Sequence, residues 1–258
     1  MNALRNKLTE GKVALGTHVS LSDSVITEIL GMAGFDYIWI DTEHAALDLN
    51  LVEKHLIAAR AAGISAIVRV PWNDPVRIKP VLELGPDGIV IPMVNNKEQA
   101  VNAIRACLYP PAGIRGYGPR YAMHFGAMTT EEYLRDAPNQ TLRFIQIETI
   151  LAVENLEDIL SVENISGIII GPCDLAASMG LIGRWEDERV QSTIDRICAI
   201  SHKAGVKVGT SFGYMSPEQM ARWKQRGIDM ISQVSDSDFI YQGGVNLLNA
   251  MRKAYLSI

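Results

Sequence analysis

Gly167-Ile168-Ile169-Ile170-Gly171-Pro172-Cys173-Asp174-Leu175 runs from a strand of unbroken isoleucines, through a Gly-Pro break, to an acid. A short apolar run with no polar face is the pattern of a strand covered on both sides, as in a parallel sheet. An earlier run, Leu142-Arg143-Phe144-Ile145-Gln146-Ile147-Glu148, also ends on a carboxylate. Two acids where two core strands emerge is an arrangement with which a barrel enzyme can hold a divalent cation.

Outward from these two strands the same rhythm recurs. Val13–Val19, Tyr37–Asp41, Ser65–Val70, Gly88–Val94, Leu142–Glu148, Gly167–Gly171, Lys207–Ser211 and Met230–Val234 read as strands. Helical patterns lie between them at Ser22–Ala33, Leu49–Ala62, Asp74–Leu84, Lys97–Cys107, Ala152–Leu160, Glu188–Ala204 and Pro217–Arg226. Gly34, Gly63, Gly85, Gly205 and Gly227 stand where such helices end. Helix, glycine, strand, repeated, predicts a single (β/α)8 TIM barrel over residues 1–258. A doubly wound open sheet would want a Gly-rich phosphate turn after its first strand, and Gly16-Thr17-His18-Val19-Ser20 is not one. The Gly/Pro-rich stretch Tyr109–Arg120 reads as a long loop, expected on the same side of the barrel as the acids. Asp238–Tyr255 reads as a last helix, packed on its own barrel or on a neighbour's.

Composition narrows the function classes. The chain has 258 residues, 48% of them hydrophobic, and a formal net charge of -5 with no run of basic residues, which argues against a nucleic-acid partner. Cys107, Cys173 and Cys198 are an odd count without C-x-x-C spacing, which points to a reducing compartment, by default the cytoplasm. The N-terminal residues carry no apolar leader, and no stretch reaches membrane-spanning length, so a soluble, unprocessed chain is expected.

Barrel enzymes build their sites at the carboxyl ends of the strands, where His18, Asp41 with His44, Arg69, Gln146 with Glu148, and Asp174 fall. Glu148 and Asp174 suit a hard cation such as Mg2+ or Mn2+, with positions left for water and substrate oxygens; helix capping is the alternative use of both acids. In Asp41-Thr42-Glu43-His44 the first acid can orient His44 as a general base, or simply cap the turn. Arg69 supplies fixed positive charge for an enolate or carboxylate, or a structural ion pair. Gln146 can donate to a substrate carbonyl, or merely satisfy backbone groups. Gly171 leaves room for the amides of Cys173 and Asp174 to approach a ligand carboxylate, while Cys173 itself reads as a packing residue. His55 and His202 read as surface residues within helices, and His124 as a loop residue able to reach the mouth.

With these residues placed, the chain resembles the HpcH/HpaI family of class II pyruvate aldolases. The likeness is carried in order by Ala33-Gly34-Phe35-Asp36, Ile40-Asp41-Thr42-Glu43-His44-Ala45, Arg69-Val70-Pro71-Trp72-Asn73-Asp74-Pro75, Tyr109-Pro110-Pro111-Ala112-Gly113-Ile114-Arg115-Gly116, Gln146-Ile147-Glu148 and Gly171-Pro172-Cys173-Asp174-Leu175. The resemblance implies cleavage of a 4-hydroxy-2-oxo acid to pyruvate and an aldehyde, and the reverse addition. It implies that Glu148 and Asp174 bind Mg2+, Mn2+ or Co2+, that His44 with Asp41 acts as acid/base, and that Arg69 steadies the enolate. Gln146 would touch pyruvate, whose carboxylate the amides after Pro172 would hold. A homohexamer, a trimer of dimers with the last helix exchanged between neighbours, is implied as well.

The departures from the family pattern touch the acceptor side. Thr42 stands where many members have Gly, Cys173 where Ala or Ser is usual, and His18 where relatives can carry a bulky apolar residue. Oxaloacetate decarboxylation reaches the same enolate and is the near alternative; a non-catalytic carboxylate-binding barrel is the distant one. A Schiff-base aldolase is disfavoured, because no lysine falls at a strand's carboxyl end.

Overall fold

The computed structural model describes residues 2–256. Eight parallel strands close in sequence order into a barrel: β1 Ala14–Val19, β2 Tyr37–Asp41, β3 Ser65–Arg69, β4 Gly88–Ile91, β5 Leu142–Ile147, β6 Gly167–Ile170, β7 Lys207–Phe212 and β8 Met230–Ser235. Each expected strand is present within a few residues of its predicted bounds. Closure comes from β1 against β8, whose register shifts between Gly16 and His18. No helix among the described residues is long and apolar enough to cross a membrane.

The helices are α1 Ala3–Thr9, α2 Val25–Met32, α3 Leu49–Ala62, α4 Pro75–Glu83, α5 Lys97–Cys107, α6 Thr130–Gln140, α7 Ile150–Glu154, α8 Leu156–Leu160, α9 Pro172–Ser178, α10 Glu188–Lys203, α11 Pro217–Gln225 and α12 Asp236–Tyr255. The pattern read as one helix over Ala152–Leu160 is two short ones, meeting at Asn155. Gly63 caps α3 in the left-handed conformation (φ 68°), the geometry that the glycine punctuation anticipated. Three helices had no sequence expectation: α1, α6 and α9.

Side-chain alternation divides the core in two. Tyr37, Trp39, Ile67, Val90, Phe144, Ile169 and Met230 fill the barrel interior, while Ile38, Ile40, Val68, Ile89, Ile145 and Ile168 face the helices. Interior fit is tight: Gly16 lies directly against the Tyr37 ring, and any side chain there would collide with it. α1 closes the bottom of the barrel. Leu4 and Leu8, one helical turn apart, are buried in the interior cluster with Leu142 and Ala14. The N-terminus read as polar is thus a plug, anchored by Asn2, which caps α1 and donates to the Asp87 and Gln140 carbonyls.

Two placements correct the sequence reading. The loop Tyr109–Arg120 lies at the opposite end of the barrel from the acids. It follows α5, which runs antiparallel to the strands, so the chain is back at their amino ends; Arg115 binds Glu83 at the end of α4, and Tyr121 sits under Arg60 in the last turn of α3. His124 goes with this loop and away from the mouth. His55, expected at the surface, is fully buried where α2 and α3 pack: one ring nitrogen meets the Thr27 hydroxyl and the other the Leu21 carbonyl, each at 2.9 Å. His202 is exposed, as read.

Candidate active site

Asp41 and Arg69 are the last residues of β2 and β3 and are register partners. Arg69 continues the inward face of Ile67, and Glu148 that of Phe144 and Gln146, so these polar groups sit on top of the apolar interior. Arg69 donates from Nε to Asp41 Oδ1 (3.0 Å) and from Nη2 to Oδ2 (2.5 Å), while its Nη1 lies 2.9 Å from Glu43 Oε2. Burial works against the Asp41 charge, but the guanidinium outweighs it and holds the carboxyl below its usual range.

This pairing differs from the expected one. Asp41 Oδ1 also accepts the backbone N–H groups of Glu43 and His44 (3.0 and 3.3 Å), but no bond joins Asp41 to the His44 imidazole. A bidentate guanidinium in register across two strands, with two backbone N–H groups besides, leaves the carboxylate little to offer the exposed His44 ring. His44 is exposed on the rim of the cleft, which has a volume of about 410 Å³.

Glu148, 3% exposed, packs against Gln146 and Gly171, which line this cleft, and does not itself line it. Its Oε1 accepts the Met93 N–H at 2.7 Å and its Oε2 is in short contact with Gln146 Nε2. Met93, whose N–H meets the acid, adopts φ 57°, a conformation rare outside glycine. Burial, with the charges of Glu43 and Asp174 nearby, pushes the Glu148 carboxyl up to about 7 against the opposing pull of the Met93 N–H and Arg69. Glu43 is likewise raised, chiefly by burial.

Gly171 makes the approach of β5 and β6 possible here. A Cβ at that position would meet Glu148 Cβ at 3.1 Å and Gln146 Nε2 at 3.2 Å. Pro172 opens α9, and the amides of Cys173 and Asp174 fall in its first turn, where the helix itself offers no acceptor. Cys173 is exposed at the cleft, which corrects its reading as a packing residue. Asp174 is exposed beside it and lines the cleft. His18 approaches from β1, its Nε2 2.9 Å from Ser211 Oγ and its ring edge-on to Trp39.

Glu43, Met93 and Ser211 were absent from the sequence reading. Glu43 alone had a visible signal, as the acid between Asp41 and His44. Among the described residues no group of three His, Cys, Asp or Glu side chains is placed to hold an ion. Two hard carboxylates remain, beside a Gln146 Oε1 that is buried without a partner. A buried acid displaced to about 7 by burial and by neighbouring acids fits a divalent cation that completes its shell from water and substrate oxygens.

Comparison with known proteins agrees with this architecture. The chain is 36% identical over 243 residues to 4-hydroxy-2-oxo-heptane-1,7-dioate aldolase of Salmonella dublin, covering 94% of this chain and 91% of the relative. It is 38% identical over 221 residues to the Escherichia coli protein of the same name, covering 86% and 83%. The crystal structure of an HpcH/HpaI aldolase from Desulfitobacterium hafniense DCB-2 superposes with a TM-score of 0.90 at 29% identity, covering 96% of each chain. Residues 15–240 match the family model described as HpcH/HpaI aldolase/citrate lyase, and with these relatives that match makes the chain a carbon–carbon lyase belonging to the HpcH/HpaI family.

Proposed function

We propose that the protein is a divalent-metal-dependent aldolase that cleaves a 4-hydroxy-2-oxo acid to pyruvate and an aldehyde and catalyses the reverse addition. The observation that carries this reading is the buried Glu148 carboxylate, packed against Gly171 and Gln146 and facing the charges of Asp174 and Arg69. Glu148 and Asp174 would hold the cation. Mg2+, Mn2+ and Co2+ all accept such oxygen ligands, and the bound ion supplies Lewis-acid polarisation of the 2-oxo group.

The remaining chemistry falls to the chain's own side chains. Cleavage breaks the C3–C4 bond, leaves its electron pair on C3 as a pyruvate enolate, and requires loss of the C4 hydroxyl proton as the aldehyde carbonyl forms. His44, free of any side-chain partner on the rim, takes that proton. The proton that His44 took is then delivered to C3, which completes pyruvate and returns the imidazole to its starting form. Arg69, clamped by Asp41 and Glu43, keeps one N–H on each terminal nitrogen for the developing enolate oxygen. Gln146 and the amides of Cys173 and Asp174 orient the pyruvate end, with Gly171 and Pro172 shaping the turn.

The assembly proposed is a homohexamer with α12 exchanged between neighbours. In support, α12 leaves Ile240, Tyr241, Leu247 and Leu248 exposed along its length. The barrel and this helix are proposed as one domain, working in the cytoplasm, consistent with three free thiols. Pyruvate release from 4-hydroxy-2-oxoheptanedioate, measured before and after exhaustive chelation and after adding back Mn2+ or Mg2+, tests the reading. Loss and recovery of turnover are expected; full activity in chelated enzyme refutes the metal assignment.

A further inference from the structure

The amino-terminal face of the barrel carries a repeated device. Asp36, Asp87 and Asp229 each precede a strand by one residue and accept a backbone N–H from the strand before: Leu15 at 2.8 Å, Ala66 at 2.9 Å and Val208 at 2.9 Å. The pairs are β1/β2, β3/β4 and β7/β8. At the fourth equivalent place, β5/β6, Ser166 Oγ accepts the Arg143 N–H at 3.0 Å. The same bond is made, but the negative charge is missing.

That gap is where the cations are. Arg143 is 5% exposed, and its Nε and Nη1 bonds all go to neutral carbonyls, those of Asn164, Pro138 and Thr141. Arg5, on the plug helix α1, has buried Nε and Nη2 atoms with no partner. Among the described residues no carboxylate lies within ion-pair distance of either. Arg5 and Arg143 both line a cavity of about 260 Å³ with Lys207, Asn164 and Ser166, and no acid lines it. Lys207 is the one cation there with an acid, Asp229 at 2.9 Å. Burial lowers the pKa of both arginines, and the Arg5 charge lowers that of Arg143 further. Buried arginine is ordinarily paired, and a guanidinium fork fits the paired oxygens of a phosphate or carboxylate.

We propose that the cavity between α1 and the β5/β6 strand starts binds a small oxyanion, whose oxygens take the place of the acid that Ser166 replaces. Leu8, Leu142 and Ile165 complete the lining, so a short carbon skeleton can accompany the charge. The anion joins α1 to β5 at the end of the barrel opposite the catalytic cleft, so occupancy stabilises the plug by mass action.

Titrating the full-length protein with inorganic phosphate by calorimetry tests this, with succinate as the dicarboxylate arm to distinguish phosphate from carboxylate ligands. Binding is expected in the wild type and in Glu148→Gln, and weakening by roughly tenfold or more in Arg5→Gln, the size of one lost charge-assisted bond. Turnover at saturating substrate should be unchanged in Arg5→Gln. Ser166→Asp restores the acid of the repeat. It should melt higher than wild type in buffer without oxyanions and lose the phosphate response. Absence of binding in the wild type, or wild-type phosphate affinity in both Arg5→Gln and Ser166→Asp, overturns the proposal.

Discussion

Asp41 gives both carboxylate oxygens to Arg69, across the register pair that ends β2 and β3. The arginine therefore has its position set by the backbone of two strands rather than by a flexible side-chain contact. Its charge faces the cleft as a fixed element.

Asp41→Asn should lower kcat by about a hundredfold, the scale seen when a preorganised donor is released. The amide can accept from only one guanidinium nitrogen at a time, so Arg69 loses its orientation. Asp41 makes no bond to the His44 ring, so the pH–rate limb belonging to the base should stay where it is in the wild type. A displaced limb would instead show that Asp41 tunes His44 during turnover.

Glu148→Gln and His44→Ala should separate metal binding from proton transfer. Glu148→Gln keeps the shape and the Met93 bond but removes a charged ligand, so metal content after dialysis should fall with turnover. His44→Ala should keep its metal and lose turnover by a factor on the order of 10² to 10⁴. Equal metal loss in the two variants would contradict this division.

Gly171→Ala tests the closeness of β5 and β6. The new methyl would stand 3.1 Å from Glu148 Cβ and 3.2 Å from Gln146 Nε2, tighter than ordinary contact. A cost of about 1–3 kcal/mol in unfolding free energy follows from overpacking. The groups that must yield are the Glu148 side chain, pushed at its Cβ, and the Gln146 amide that contacts its carboxylate, so metal affinity should fall as well. Wild-type affinity with full stability would show that the strands separate freely.

Much of this site was legible before folding. The strands stood out because each is a short apolar run bounded by glycine or by a polar strand-end residue, and the acids stood out because they close two of those runs. What a linear reading misses is whatever depends on closure. The Asp41–Arg69 pair joins residues 28 apart that only register brings together, and the Met93 N–H reaches Glu148 across 55 residues. Glu43 was visible but unused. α1 has no sequence signature because seven residues with two leucines make too short a pattern to identify, although Leu4 and Leu8 are spaced to share a face. The loop Tyr109–Arg120 could have been placed correctly: it follows a helix, and after a helix the chain of a barrel is at the amino ends of its strands.

His18 supplies a pH prediction. Burial, aided by the Arg69 charge and opposed by Asp41, lowers its pKa from the usual 6.5 to about 4. The neutral ring is therefore the native form, paired with Ser211 at 2.9 Å. An imidazole whose folded pKa is depressed takes up protons more readily when unfolded. Its contribution is complete above pH 6.5 and is lost as pH falls toward 4, up to about 3 kcal/mol in all. His18→Gln keeps a side chain able to bond Ser211 but cannot titrate. Denaturant unfolding from pH 7.5 to pH 4 should thus show a shallower loss of stability in His18→Gln than in the wild type. Parallel curves would mean that the ring is already protonated, or readily hydrated, in the native barrel. A base limb that persists in the pH–rate profile of His18→Gln would in turn assign that limb to a group other than His18.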